Sequence, residues 1–189
     1  MRISSRLFVG PALLAAAVAA APAIAAPAAA PAVVSVMETS GTLRPGEYLW
    51  AADGVPPGKL AIVVDLRRER LYVYRGGVEI GRTLIIYGAD HLPTPTGRFP
   101  ILQKDRDHVS NLYDAPMPYM LRLTWDGVAI HGSGEDVDGR YATHGCIGVP
   151  DEFAALIYGQ AKMGDVVVVT RDWMPEVYGN EGVQVASAG

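Results

Sequence analysis

The chain of 189 residues is short of cysteine, aromatic residues and charge, and each shortage closes off a class of protein. A single cysteine, Cys146, cannot close an internal disulfide, so no cystine framework holds the fold together. Aromatic residues make up 8% and charged residues 19%, with Lys+Arg 16 against Asp+Glu 20 and a net charge of −4. A protein that tracks phosphate backbones needs the opposite sign, so nucleic acid is not an expected partner. The length leaves room for one globular domain with a tail but not for two full domains. No internal repeat is visible. Gly 21 and Pro 14 place turns close together, which favours short strands over a helical bundle.

Long apolar runs are also missing, except at the N-terminus. Residues 1–26 have the three parts of a secretory signal: Arg2 and Arg6 at the start, an apolar run over 7–21, and Ala23-Ile24-Ala25 as a small-x-small cleavage site. A membrane-spanning helix needs about 20 apolar residues. Here Pro11 and Pro22 interrupt the run and Ala/Pro-rich sequence follows it. No cysteine stands near the cleavage site to carry a lipid. The expectation is export to the periplasm or cell wall, with no integral membrane span after signal removal. Removal leaves 14 cations against 20 acids, a net charge of −6.

Residues 27–58 read as an Ala/Pro-rich linker and lead-in, with Tyr48, Leu49 and Trp50 as anchors on the domain edge. Residues 59–171 form the folded domain, and 172–189, small and polar, read as a mobile C-terminal tail. Within the domain, 60–66 is a β-branched run and 70–74 alternates with period two. Gly76-Gly77 then turns the chain into a further strand over 80–87. Strands are also expected over 119–125, 128–131 and 166–170, with Asp126-Gly127 as a second hairpin turn. One helix is expected after Pro150, starting at Asp151 and Glu152, with Phe153, Leu156, Ile157 and Gln160 on one face and Gly164 closing it. The fold class is therefore mainly β with one or a few short helices.

A lone thiol in an exported protein is either buried and inert or kept for its reactivity. A thiol becomes a nucleophile when a nearby imidazole takes its proton. His144 and Cys146 fall in Thr143-His144-Gly145-Cys146-Ile147-Gly148, and His131 follows an apolar strand in Ile130-His131-Gly132-Ser133. Glycines beside the histidine and the cysteine let a substrate approach the backbone, and amides around Gly145 and Cys146 can face a developing oxyanion. These two blocks, together with Thr94-Pro95-Thr96-Gly97-Arg98-Phe99 and Met117-Pro118-Tyr119, resemble the L,D-transpeptidase catalytic domain family over roughly residues 60–170.

The resemblance implies an L,D-transpeptidase-type, β-sandwich-like domain. It implies Cys146 as the nucleophile that attacks a peptidoglycan stem-peptide carbonyl and holds the acyl group as a thioester. His131 matches the general base and acid, oriented by the backbone carbonyl of Gly132, and His144 matches a supporting histidine. Gly145 and Cys146 match the oxyanion amides, Thr143 stands where the family often has serine, and Arg140 is a candidate substrate contact. Donor and acceptor are stem peptides: D-Ala leaves, and a diamino-acid side chain accepts the acyl group. No cofactor and no metal is implied.

This sequence departs from the family at Gly148, where arginine is common, and glycine offers an anion no donors. Arg140, Arg122 and Arg98 are the candidates to supply that charge from elsewhere. The alternatives are an L,D-carboxypeptidase or endopeptidase that gives the thioester to water, and a weakly active or non-catalytic wall-binding module. Zinc held by His131, His144 and Cys146 lacks an evident fourth ligand. Glu135, Asp136 and Asp138 read first as a solvated loop, His91 and His108 as surface or turn residues, and Tyr72, Tyr74, Tyr87 and Tyr119 as packing.

Overall fold

A computed structural model of the chain describes residues 31–38, 41–88, 91–111, 114–134 and 143–173, and the backbone of a last strand at 179–186. In chain order the elements are β1 (Val33–Met37), β2 (Tyr48–Trp50), β3 (Leu60–Asp65), β4 (Arg70–Arg75), β5 (Val78–Leu84), β6 (Gly97–Pro100) and β7 (Gln103–Asp105). They continue with β8 (Met120–Arg122), β9 (Ala129–Gly132), β10 (Ile147–Val149), α1 (Asp151–Gln160), β11 (Val166–Thr170) and β12 (Gly179–Ala186). The expected mainly β class with a single helix is what the structure contains among the described residues.

The strands form two sheets. The larger has the order β12-β1-β5-β4-β3-β11-β6, with β2 also paired to β5; the smaller has the order β10-β9-β8-β7. The centre of the large sheet is the antiparallel meander β3-β4-β5, in which the Gly76-Gly77 turn, with positive φ at both residues, joins β4 to β5. β11 returns through α1 to lie parallel to β3, with Val166 to Thr170 opposite Ala61 to Asp65.

Alternation along these strands sends one face into each of two cores. Ile62, Val64, Leu71, Val73, Ile80, Val167 and Val169 pack with Leu121, Ile130, Ile147 and Val149 of the small sheet, and with Phe153 and Ile157 of α1. Each such side chain contributes about 1.5–3 kcal/mol by leaving water. The opposite face buries Val63, Tyr72 and Tyr74 against Val33 and Trp173, with the Tyr74 and Trp173 rings edge to face at 6.0 Å.

Three local expectations are corrected. Part of the segment read as linker is structured: Val33–Met37 is a strand that seats Val33 in the second core, and Glu79 and Arg82 hold both polar groups of the Met37 backbone. Part of the segment read as tail is also a strand, β12, parallel to β1. Gly164 does not close the helix. α1 stops at Gln160, where Ala161 turns extended, and Lys104 donates to the carbonyls of Tyr158 and Ala161 at 2.7 and 2.6 Å. A cation on those orphaned carbonyls does the capping instead. No helix among the described residues is long and apolar enough to cross a membrane; residues 1–26 lie outside them.

Candidate active site

The parallel pairing of β9 with β10 builds the site. His131 stands opposite Gly148 and Ile130 opposite Ile147, so the Thr143–Cys146 approach to β10 lies beside the start of β9. The stretch before that approach, 85–88, brackets it: Ile86 exchanges both backbone hydrogen bonds with Gly148, and Thr143 N–H donates to the Tyr87 carbonyl at 3.0 Å. The Thr94 hydroxyl closes the frame from the TPTGRF turn. It accepts from Gly88 N–H and donates to the Gly145 carbonyl, both at 2.9 Å, and is buried. Gly145 has φ +103, a backbone region that side chains rarely adopt. The motif spacing noted in the sequence is thus a set of clamps on the loop that carries Cys146.

Thr94→Val keeps the shape of the side chain and removes both bonds, leaving a buried N–H and a buried C=O unpaired. It is expected to cost about 1–3 kcal/mol per orphaned group, read as a fall in the denaturation midpoint.

His131, Cys146, His144 and Thr143 line one cavity of about 760 Å³. The His131 Nδ1 lies 2.8 Å from the Gly132 carbonyl oxygen. A carbonyl only accepts, so Nδ1 carries the proton and Nε2 is the basic nitrogen. Burial pushes the imidazole below its ordinary value; the Gly132 carbonyl and the Asp151 carboxylate pull it back in part, and His108 pushes it further down. The Cys146 thiol donates to the Gly127 carbonyl at 3.5 Å. Burial pushes its pKa up, against the Ala129 backbone and the Arg122 guanidinium, which favour the thiolate. Both shifts favour an uncharged thiol and an uncharged imidazole in this cavity at neutral pH.

Gly132 has no room for a side chain. A Cβ there would lie 2.3 Å from Asp151 Oδ1, which accepts Gly134 N–H at 2.8 Å and so ties the first turn of α1 to the loop after His131. The Thr143 hydroxyl donates to the Cys146 carbonyl at 2.5 Å.

Gly148 is explained by packing. A Cβ at this position would lie 2.2 Å from Ser133 Oγ and 2.6 Å from Ile86 Cγ1. The space that an arginine would need is filled, and Gly148→Arg is expected to unsettle the β9-β10 pair. The milder Gly148→Ala already over-packs, at about 1–3 kcal/mol, measurable by thermal unfolding. Of the three arginines considered as replacements, Arg122 lines the cavity and its charge reaches Cys146. Arg98 is exposed on β6, away from the cavity lining, and Arg140, with Glu135, Asp136 and Asp138, lies outside the described residues.

His91 is exposed and does not line the cavity, but His108 does, which corrects its reading as a surface or turn residue. Its Nδ1 lies 3.2 Å from Asp105 Oδ2. The spacing Asp105-x-x-His108 is the one signal in the sequence that points to this pair. Trp125, 74% exposed, and Asp126 also stand on the rim. The tyrosines pack as expected: Tyr72 stacks on Tyr74, and Tyr119 meets Tyr158 edge to face at 5.8 Å. Among the described residues no group of three or more His, Cys, Asp or Glu side chains is placed to hold a metal ion.

The family model of the L,D-transpeptidase catalytic domain matches residues 59–169. L,D-transpeptidase 1 of Mycobacterium tuberculosis is 29% identical over 123 residues, covering 57% of this chain and 49% of its own length. The chain thus spans about half the length of the curated relatives it matches. Among solved structures, an L,D-transpeptidase from Mycobacterium smegmatis is 26% identical with a TM-score of 0.55, over 59% of this chain and 58% of that one. An L,D-transpeptidase of Enterococcus faecium is 27% identical with a TM-score of 0.55, over 60% of this chain and 50% of that one. The two motif blocks, the sheet that joins them and the family match over residues 59–169 agree, and the chain belongs to the L,D-transpeptidase catalytic domain family.

Proposed function

We propose that the protein is an exported L,D-transpeptidase that forms peptidoglycan crosslinks, or attaches another amine acceptor, through a thioester on Cys146. The observation that carries this reading is the shared cavity: a half-buried thiol and an imidazole whose Nδ1 is fixed by the Gly132 carbonyl, in a chain of this family. His131 Nε2 takes the thiol proton as Cys146 Sγ attacks the stem-peptide carbonyl. The Gly145 and Cys146 amides face the oxyanion, the carbon–nitrogen bond to D-Ala breaks, and His131 returns the proton to the leaving amine. An incoming amine then attacks the thioester carbonyl and the sulfur leaves, regaining a proton through His131. His144 supports the loop beside the nucleophile, and Thr143 holds the Cys146 carbonyl. Arg122 supplies a cation to the donor stem from within the cavity. Stem peptides are donor and acceptor, and the periplasm or cell wall is the place of action, in keeping with the signal-like residues 1–26.

The test is mass spectrometry of the products formed from disaccharide-tetrapeptide muropeptides, with Cys146→Ala alongside. Dimers that have lost one D-Ala, absent with the variant, support transpeptidation. Tripeptide without dimers identifies a hydrolase that shares the acyl-enzyme. Sacculus binding without any product identifies a wall-binding module.

A further inference from the structure

On the transpeptidase reading, transfer to an ammonium acceptor sheds one more proton than His131 carries to the sulfur. After acylation His131 is neutral again and the thiol proton has left with D-Ala. An amine acceptor at neutral pH arrives as an ammonium, R–NH3+. To end as an amide it sheds two protons: one before attack, to free the lone pair, and one from the tetrahedral intermediate. His131 can pass the second to Cys146 Sγ as the carbon–sulfur bond breaks. If His131 takes the first, it is already an imidazolium when the second must be relayed to the sulfur, so the two transfers call for two bases. Water as acceptor brings no such surplus before attack, because its attack needs only the one proton that His131 carries to the sulfur.

A second imidazole lies in the same cavity. His108 follows β7 and lines the wall shared by His131 and Cys146. Its Nδ1 faces Asp105 Oδ2 at 3.2 Å, and since a carboxylate only accepts, Nδ1 carries a proton and, in the neutral ring, Nε2 holds the lone pair. The side chain is 17% exposed, open enough to return a proton to solvent. The charged or titratable groups around it in the cavity are His131 on β9, Arg122 on β8, Asp126 in the following turn, and His144 and Cys146 before β10. His108 and His131 lie near enough for the charge of one to act on the other.

We propose that His108, held by Asp105, is a second general base that takes the surplus proton from an ammonium acceptor, so that the cavity favours amines over water. His108 Nε2 accepts a proton from R–NH3+, the freed lone pair attacks the thioester carbonyl, the remaining proton reaches Cys146 Sγ through His131, and His108 releases its own to solvent.

The test partitions a preformed acyl-enzyme between water and two amines in wild type, His108→Gln and Asp105→Asn. One amine is a free D-amino acid, an ammonium at neutral pH; the other is methoxyamine, which is neutral there and brings one proton fewer. The expected result for His108→Gln is about a tenfold or greater fall in transfer to the D-amino acid relative to hydrolysis. Methoxyamine transfer stays within about twofold, and the deficit narrows as pH rises. Asp105→Asn shifts the partition the same way by less. Equal loss with both amines, or an unchanged partition, overturns the proposal. A wild-type protein that forms no acyl-enzyme overturns the transpeptidase reading itself, and the acylation step, followed by intact-protein mass, tells the two failures apart.

Discussion

Cys146→Ala is expected to end product formation completely, because no other described side chain in the cavity is a thiol and the thioester has nowhere else to form. The loss is chemical and not structural. Cys146 is only partly buried and its side chain makes one long hydrogen bond, so the variant should keep its denaturation midpoint within the small range of ordinary substitutions. The same residue predicts an unusual reactivity profile. Burial raises the thiol above the usual value of 9.0, so alkylation by iodoacetamide should run slower at neutral pH than for free cysteine. Its midpoint should lie above that value. A midpoint well below it would mean a resident thiolate, and the concerted proton transfer would be wrong.

His131→Gln is the second large effect, a fall in acylation rate of about 10²–10⁴. Glutamine can still donate to the Gly132 carbonyl but has no basic nitrogen to receive the thiol proton. The pH profile gives the sign. A base at His131 would act only when neutral, and burial lowers its pKa from 6.5, so the neutral form persists to lower pH than for a free imidazole. Wild-type kcat/KM should therefore lose its acid limb only below that value, and in His131→Gln the limb should disappear. A limb that survives unchanged in the variant belongs to another group, and the assignment of the base to His131 fails.

The parts of this fold that were legible in the sequence are those set by local pattern. β3 and β11 are runs of β-branched residues, β4 sends alternate side chains into the two cores, Gly76-Gly77 has the positive φ that a tight turn demands, and Pro150 marks the start of α1. The spacing of Ile130-His131-Gly132 and Thr143-His144-Gly145-Cys146 is legible too, since parallel pairing of β9 with β10 needs a connection of that length.

What was not legible depends on contacts between distant residues. β1 sits in an Ala/Pro/Val-rich stretch whose composition resembles a linker, and it becomes a strand by laying Val33 on Tyr74 and Trp173 and by bonding Met37 to Glu79. Gly148 looked like a lost arginine because the sequence says nothing of Ser133 Oγ and Ile86 occupying its side-chain space. His108 looked like a turn residue because the chain between β7 and β8 has no period; only folding brings it to the wall that holds His131. The resemblance thus points to Cys146 and His131, while the place of His108 on the same cavity wall requires coordinates.

The most direct measurement of the central claim is the intact mass of the protein, caught in acid seconds after mixing with a disaccharide-tetrapeptide. The expected result is an adduct equal to the donor minus D-Ala, on the peptide that contains Cys146, labile to hydroxylamine as a thioester is, and absent from Cys146→Ala. A folded protein that turns over the donor with no such adduct, or that carries it on another residue, would contradict the account.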